Sequence, residues 1–473
     1  MNDNNKRAVA GAPEALVEQS LFEVRQKIHP RAVTGVFAGW RWGMVWFTQV
    51  LFYGLPWMTW NDRQAVLFDL GARKFYIFGM VFWPQDFIYL TLLLVIAALS
   101  LFLFTAVAGR LFCGYACPQT VYTEIFLWIE SKVEGNRNKR VLLDRRPVDA
   151  RKLALKAIKH ALWIAVALWT GFTFVGYFTS IRELWAEIPG WALGPWESFW
   201  IAFYGFATYG NAGWMREQVC KYMCPYARFQ SSMFDRDTMI ITYDPGRGEP
   251  RGSRSRSLDP KAMGLGDCVE CGICVQVCPT GIDIRDGLQY ECIGCAACID
   301  GCNQVMDRMG YPHGLIRYST TNALAQGWSS RQMLARALRP RVLIYAAILG
   351  AIILAAGVSL YLRVPLKVDV IRDRVSLSRE VEGGMIENIY RLQIMNTQEV
   401  PHRYRISAAG LPSLRVAGED VVEVPAATSM MVPVKLRMES GQSGVGSHRI
   451  EFVVRAMESE GIVATEKSVF LVR

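Results

Sequence analysis

Eight of the twelve cysteines stand in two runs of one pattern. Cys268-x2-Cys271-x2-Cys274-x3-Cys278-Pro279 is followed, thirteen residues on, by Cys292-x2-Cys295-x2-Cys298-x3-Cys302. Three thiols at two-residue intervals wrap the backbone around one cubane, and the fourth of each run reaches the neighbouring cluster. The spacing assigns Cys268, Cys271, Cys274 and Cys302 to one [4Fe–4S] cluster. Cys292, Cys295, Cys298 and Cys278 go to the second. Asn303 stands where a proline would follow the last cysteine, which alters a turn and not a ligand. Zinc is the competing occupant, but zinc sites usually split their ligands into two pairs across a longer loop. Four thiols in eleven residues, repeated, do not.

The other four cysteines form a second repeat, "CGYACP" at 113–118 and "CKYMCP" at 220–225. Each pair follows an apolar run. Spacing of four places two sulfurs on one face if the segment is helical. Pro118 and Pro225 disfavour helix at the residue before them, so each pair marks the end or turn of a span. Brought together, Cys113, Cys117, Cys220 and Cys224 offer up to four sulfurs to a soft metal: Cu(I), zinc or iron–sulfur. Met215, Met223 and Met233 stand nearby as possible thioether ligands, with ordinary packing the simpler role. Buried small hydrophobes or a structural zinc site are the plain alternatives for the four thiols. The five histidines are scattered, and there is no GxGxxG or P-loop. No nucleotide or flavin site is visible, so electrons should arrive from another protein, a cytoplasmic donor.

The elements around these thiols are apolar. The chain is 52% hydrophobic with mean hydropathy +0.16. Four uncharged runs, 87–109, 161–181, 198–215 and 342–362, are long enough to cross a hydrocarbon core of ~30 Å. A fifth, 42–61, carries Gln49 and Pro56 between Trp-rich ends. The run 75–83 reads as an interfacial lead-in. The first thirty residues lack the apolar stretch of a secretory signal. Lys and Arg number eleven in 110–160 and sixteen in 216–341, against three in 62–86 and one in 182–197. That bias places the N-terminus and every cysteine on the cytoplasmic side of a membrane or at its edge, with the C-terminal domain outside. It also accounts for the net charge of +10 without a nucleic-acid partner. The basic run 251–257 reads as a solvated linker. A reducing compartment disfavours disulfides.

After residue 362 there is no cysteine. Short alternating runs replace the long apolar ones. In 448–456, Ile450, Phe452 and Val454 share one face and Arg449, Glu451 and Arg455 the other. Turn signals at 382–384, 410–412 and 440–444 separate the runs, which predicts an Ig-like antiparallel sandwich. The fold class is therefore a multidomain membrane protein. It divides into a cytoplasmic segment 1–40 and a membrane domain 41–235 with four spans and both CxxxCP units. Then come a linker and two-[4Fe–4S] ferredoxin-like domain 236–341, a fifth span 342–362 and a β-sandwich 363–473.

The chain resembles the FixG/CcoG/RdxA family along nearly its whole length. The resemblance is carried by "IHPRAVTG" (28–35), "LFCGYACPQTVYTEIFLWIE" (111–130), "KYMCPYARFQSSMFD" (221–235), "RGEPRG" (247–252), "CPTGIDIRDGLQYECIGCAACID" (278–300) and "NIYRLQIMN" (388–396). It implies an accessory role in assembling cbb-type cytochrome c oxidases, through reduction of Cu(II) to Cu(I) for the oxidase copper centre. Cys113, Cys117, Cys220 and Cys224 would then be the copper site. The implied partners are oxidase subunits or copper chaperones. Two other functions fit the same residues. One is a membrane relay exchanging electrons with quinone, and the other is a non-catalytic assembly scaffold.

Overall fold

The structure, a computed structural model, describes residues 27–256, 258, 263–372, 378–381, 383–459 and 461–472. Most of the expected N-terminal segment lies outside the described residues, as do Ser257 of the basic run and Glu382 of the first turn signal.

Among the described residues, three helices are long and apolar enough to cross a membrane: Pro84–Ala108, Ala150–Val175 and Pro340–Tyr361. Two of the five expected spans do not reach that standard, each for a local reason. The run 42–61 folds as helix α1 (Val36–Gly54), which begins early and stops short of Pro56. It buries Arg41 and Gln49 on its protein-facing side. The run 198–215 starts as a 14-residue helix (Pro195–Thr208) and then widens into π-type turns over Tyr209–Met215. The run expected at 161–181 is the C-terminal part of the longer helix Ala150–Val175. That helix starts early because the Asp149 carboxylate accepts the Lys152 N–H at 2.7 Å. The expected lead-in 75–83 forms two strands of a three-stranded antiparallel sheet, Val66–Asp69, Lys74–Ile77 and Met80–Phe82.

Helices α2 (Phe87–Ala108) and α9 (Pro340–Tyr361) run antiparallel and are pinned at both ends. Arg339 donates to Ala106 O at 2.7 Å at one end, and Arg363 to Val81 O at 2.9 Å at the other. At ~1.5 Å per residue the pair spans roughly 33 Å. All twelve cysteines lie at the Arg339 end and the β-domain at the Arg363 end. The cysteine-rich segment is closed by a two-stranded bracket in which Ile240–Tyr243 pairs with Ile316–Ser319.

The C-terminal β-domain is two antiparallel sheets. One runs in spatial order Arg415–Ala417, Ser429–Glu439, Met385–Asn396, Leu366–Arg372, with Arg379–Val381 added along Met385–Asn396. The other runs Val421–Val424, His402–Ala409, Gly446–Ala456, Val463–Val472. The expected alternation is seen: Ile450, Phe452 and Val454 are buried between the sheets with Tyr390, Leu392, Ile394 and Phe470.

This domain is fastened to the loop that precedes α2. Met395 packs on Val81 and Trp83. Asp86, only 4% exposed, pairs with Arg363 at 2.6 Å and with Lys367. Its carboxylate also accepts the Trp83 N–H at 3.0 Å. Removing one partner of a buried pair costs about 3–5 kcal/mol, less here because Lys367 can turn to water. Asp86→Ala is expected to destabilise the docked domain by about 2–3 kcal/mol. Limited proteolysis should release an intact C-terminal fragment faster than from wild type, with the cluster spectrum unchanged.

Candidate functional site

Two hollows sit side by side in the cysteine-rich segment. The first is lined by Cys268, Cys271, Cys274 and Cys302, with Tyr243 and Arg285 at its edge. The second is lined by Cys278, Cys292, Cys295 and Cys298, with Cys274 reaching into the same wall. Each hollow thus gathers three thiols of one run and the last thiol of the other, the crossed set that the spacing predicts. Left-handed backbone at Gly272 (φ 64°) and Ala296 (φ 59°) starts the short helices that turn each run around its hollow.

Burial raises the thiol pKa values here, to about 11 for Cys274 and Cys295 and about 12 for Cys292 and Cys302. Neutral thiols fill the space until a cation displaces their protons. Among the described residues, no three His, Cys, Asp or Glu side chains stand close enough to grip one ion. A single zinc would draw four sulfurs to about 2.3 Å, closer than the side chains converge here, whereas a cubane holds its thiolates further apart. The donor set fits a [4Fe–4S] cluster in each hollow.

The first thiol of each CxxxCP pair lies against the second hollow. Cys113 belongs to the short helix α3 (Leu111–Tyr115) and is packed with Ile293 and Cys295, and Cys220 joins the same group. Cys117 and Cys224 are the extended residues immediately before new helices, α4 (Pro118–Glu134) and α7 (Pro225–Met233). Each proline takes the first helical position, where its missing N–H costs nothing. Cys117 stands at the start of α4, where the backbone N–H groups of Gln119 and Thr120 favour its thiolate. The charges of Cys117, Cys113 and Cys224 act on the Cys220 thiol, and Cys113 and Cys220 pack in one group, but no three of the four sulfurs stand close enough to hold one ion. Burial pushes the Cys220 thiol up to about 12 and also raises Cys113 and Cys117. The pairs are not twins. Cys113 sits in an α-turn and Cys220 in a π-type turn, Val219–Met223. Tyr115 meets the Tyr318 hydroxyl at 3.3 Å, while Tyr222 is exposed. Met223 is also exposed, and none of the three methionines lines the cavity beside Cys220.

Close backbone contacts join the two thiol groups. A Cβ on Gly114 would stand 2.8 Å from the Cys295 N and Cα, and one on Gly294 would stand 3.1 Å from Arg110 C and O. Arg41 donates to Cys295 O at 2.7 Å. Arg110 donates to Gln230 Oε1 at 2.9 Å and to Tyr290 O, and Gln230 Oε1 lies 3.5 Å from Cys113 Sγ. The Asp300 carboxylate accepts the Ala38 N–H at 2.7 Å, capping helix α1 from the cysteine-rich segment.

With this geometry in place, comparison with known proteins is informative. Residues 215–321 match the 4Fe–4S dicluster domain, residues 90–136 a 4Fe–4S binding domain, and residues 356–473 the Ig-like fold at the C-terminus of FixG. Nitrogen fixation protein FixG of Rhizobium meliloti is 37% identical over 86% of this chain and 84% of its own. Protein RdxA of Cereibacter sphaeroides is 36% identical over 90% of this chain and 92% of its own. Protein RdxB of the same organism is 38% identical over 91% and 93%. The chain belongs to the FixG family.

As a FixG-family protein it is an iron–sulfur protein with a membrane-associated helical part and an Ig-like C-terminal domain. Its "IHPRAVTG" block lies along the cysteine-rich segment. The Arg31 N–H donates to Gln276 O at 2.8 Å, Val33 packs beside Cys113, and a Cβ on Gly35 would strike Asp300. Sequence reasoning did not find Arg41, Arg110, Gln230, Asp300 or Arg216. A charge at position 41, just inside an apolar helix, was the one available signal.

The crossed arrangement predicts that Cys302→Ser disturbs the first cluster and Cys278→Ser the second. Electron paramagnetic resonance of the reduced protein should lose the signal of a different cluster in each variant. Gly114→Val forces a side chain into the Cys295 backbone. It is expected to cut bound iron from about eight per chain towards about four, the content of one cubane.

Proposed function

We propose that the protein reduces Cu(II) to Cu(I), as substrate, at the four thiols Cys113, Cys117, Cys220 and Cys224. The carrying observation is that Cys113 and Cys220 pack in one group with Cys295, a thiol of the second hollow. The clusters, when bound through Cys268, Cys271, Cys274 and Cys302 and through Cys292, Cys295, Cys298 and Cys278, supply electrons singly, which matches a one-electron metal reduction. Thiolates favour the cuprous product. Arg110 stabilises a Cys113 thiolate, and the α4 N-terminus a Cys117 thiolate.

In this reading the thiols face the cytoplasm and receive electrons from a cytoplasmic donor. The β-sandwich faces the periplasm, about a bilayer away, where cbb-type oxidase subunits or copper chaperones would meet it. The names of the relatives, nitrogen fixation protein among them, are consistent with service to respiratory or nitrogen-fixing electron transfer.

The test is Cu(II) reduction by purified, pre-reduced protein with a cuprous chelator as indicator. Replacing Cys113 and Cys117, or Cys220 and Cys224, by serine should slow it by roughly tenfold or more, since the soft ligands are gone. Iron and sulfide should stay constant. Full rates in both double variants would remove copper from these thiols.

A second reading has one observation behind it. The matched 4Fe–4S binding segment, 90–136, contains Cys113 and Cys117. A third cluster on the four thiols would raise iron to about twelve per chain, falling to about eight in either double variant.

A further inference from the structure

Beside Cys220 a cavity of about 150 Å³ opens between α1, α4 and the segment before α7. Its inner wall carries Cys220 and Cys295, the two thiol groups already described. Its outer wall carries Trp42 and Trp128, edge to face at 6.3 Å. Trp42 stands two turns into α1 from the end that Asp300 caps, and beyond it Trp46, Phe47 and Val50 are exposed, an apolar face suited to lipid. The cavity therefore lies between Cys220 and Cys295 on one side and the helix that carries this exposed apolar face on the other.

Its charge excludes the metal itself as occupant. Four arginines, Arg31, Arg41, Arg140 and Arg216, line it against two acidic residues, Glu124 and Glu217, and Arg216 and Glu217 also border the neighbouring cavity beside His160. Adding Glu130, which pairs with Arg216 at 2.7 Å and Arg140 at 3.6 Å, still leaves the cations in excess. A free cation is repelled, and a ligand offering oxygen acceptors is favoured. Arg216 is 7% exposed, and its Nη1 has no hydrogen-bond partner. Nε and Nη2 are taken by Gly213 O and Glu130. A buried donor without a partner is costly unless a ligand supplies one. Arg216 also has φ 44° and stands between two π-type segments, a combination of strain and wide turns that gathers at functional sites. Glu217, 6% exposed, has Gln218 as its neighbouring donor at 3.1 Å. Volume sets the ligand size: about 150 Å³ accommodates one benzene-sized ring.

We propose that this cavity binds the single-ring dicarbonyl headgroup of a membrane-soluble benzoquinone. Arg216 donates to one ring oxygen. Glu217 accepts from the ring hydroxyl when the ligand is in its quinol form. The isoprenoid tail leaves past Trp42 and Trp128. The proposal rests on the reading of this region as an iron–sulfur redox site, and not on copper as substrate.

The experiment uses the full-length protein in lipid nanodiscs and a short-tailed ubiquinone, with tryptophan quenching as readout. A photoreactive azidoquinone locates the site by mass spectrometry. Saturable binding and crosslinks within residues 120–128 are expected. Arg216→Gln should weaken binding by about tenfold, the loss of one charge-assisted hydrogen bond. Because Arg216 also holds Glu130, the exposed Trp128→Ala provides a second arm and should weaken binding by about threefold. Iron content should stay unchanged in both. Absence of saturable binding, crosslinks elsewhere, or wild-type affinity in both variants would overturn the proposal. Quinone binding retained by the Cys113/Cys117 serine variant, with copper reduction lost, supports it and separates it from the copper reading.

Discussion

The structure depends on one close approach, the backbone of Gly114 against the backbone of Cys295. Gly114 lies between the thiols of a membrane-edge pair, and Cys295 is the middle thiol of the second cysteine run. No side chain fits between them. Gly294 approaches Arg110 from the other partner in the same way, so each segment contributes a glycine to the contact. Hydrogen bonds from Arg41 and Arg110 to carbonyls of the 290–295 loop fix its register. A ferredoxin-like insert joined by a flexible linker would place its clusters at variable distance from the membrane. Here α3 and the cluster loop are one packed unit.

That unit is built from both sides of the sequence. The Asp300 carboxylate caps α1, some 260 residues upstream, and compensates the positive end of its dipole. The block around Ile28–Gly35 lies across the cysteine-rich segment. At the far end of α2 and α9, Asp86 holds Arg363 and Lys367 in the same manner, a buried carboxylate between two cations. The helix pair is therefore a strut with a polar clasp at each end. It keeps the cysteines and the β-sandwich at opposite ends of a helix pair roughly 33 Å long.

The sequence made the chemistry more legible than the architecture that carries it. Thiol spacing is a local property, so the two sets of thiols that the hollows gather, with Cys302 and Cys278 exchanged between the runs, could be read from the runs alone. Alternation in 448–456 was enough to orient that strand in its sandwich. Apolar length was a poorer guide. In 42–61 the helix ends before Pro56, and in 198–215 the α-helix gives way to π-type turns. Both departures are backbone events that hydropathy does not register. The segment 75–83 is apolar because its strands pack on the β-domain and neighbouring loops. The tertiary partners of the site were hidden for a different reason. Arg41, Asp300 and Gln230 act across more than a hundred residues of chain, and no short-range pattern connects them.

The two CxxxCP units show how a repeat in sequence can become an asymmetric site. Both end in a proline at the first position of a new helix, so the second thiol of each pair sits at a helix start. Their first thiols differ. Cys113 is held in an α-turn, with Gly114 against the cluster loop and Gln230 beside its sulfur. Cys220 hangs from a π-type turn that follows the strained Arg216, and it borders the cavity that Trp42 and Trp128 line. Both first thiols thus pack beside the cysteine-rich loop, but only Cys220 also borders a cavity. A symmetric pair of α-turns would seal both thiols in the same way. The extra residue in each wide turn, with the left-handed arginine between them, is what opens one side of the site.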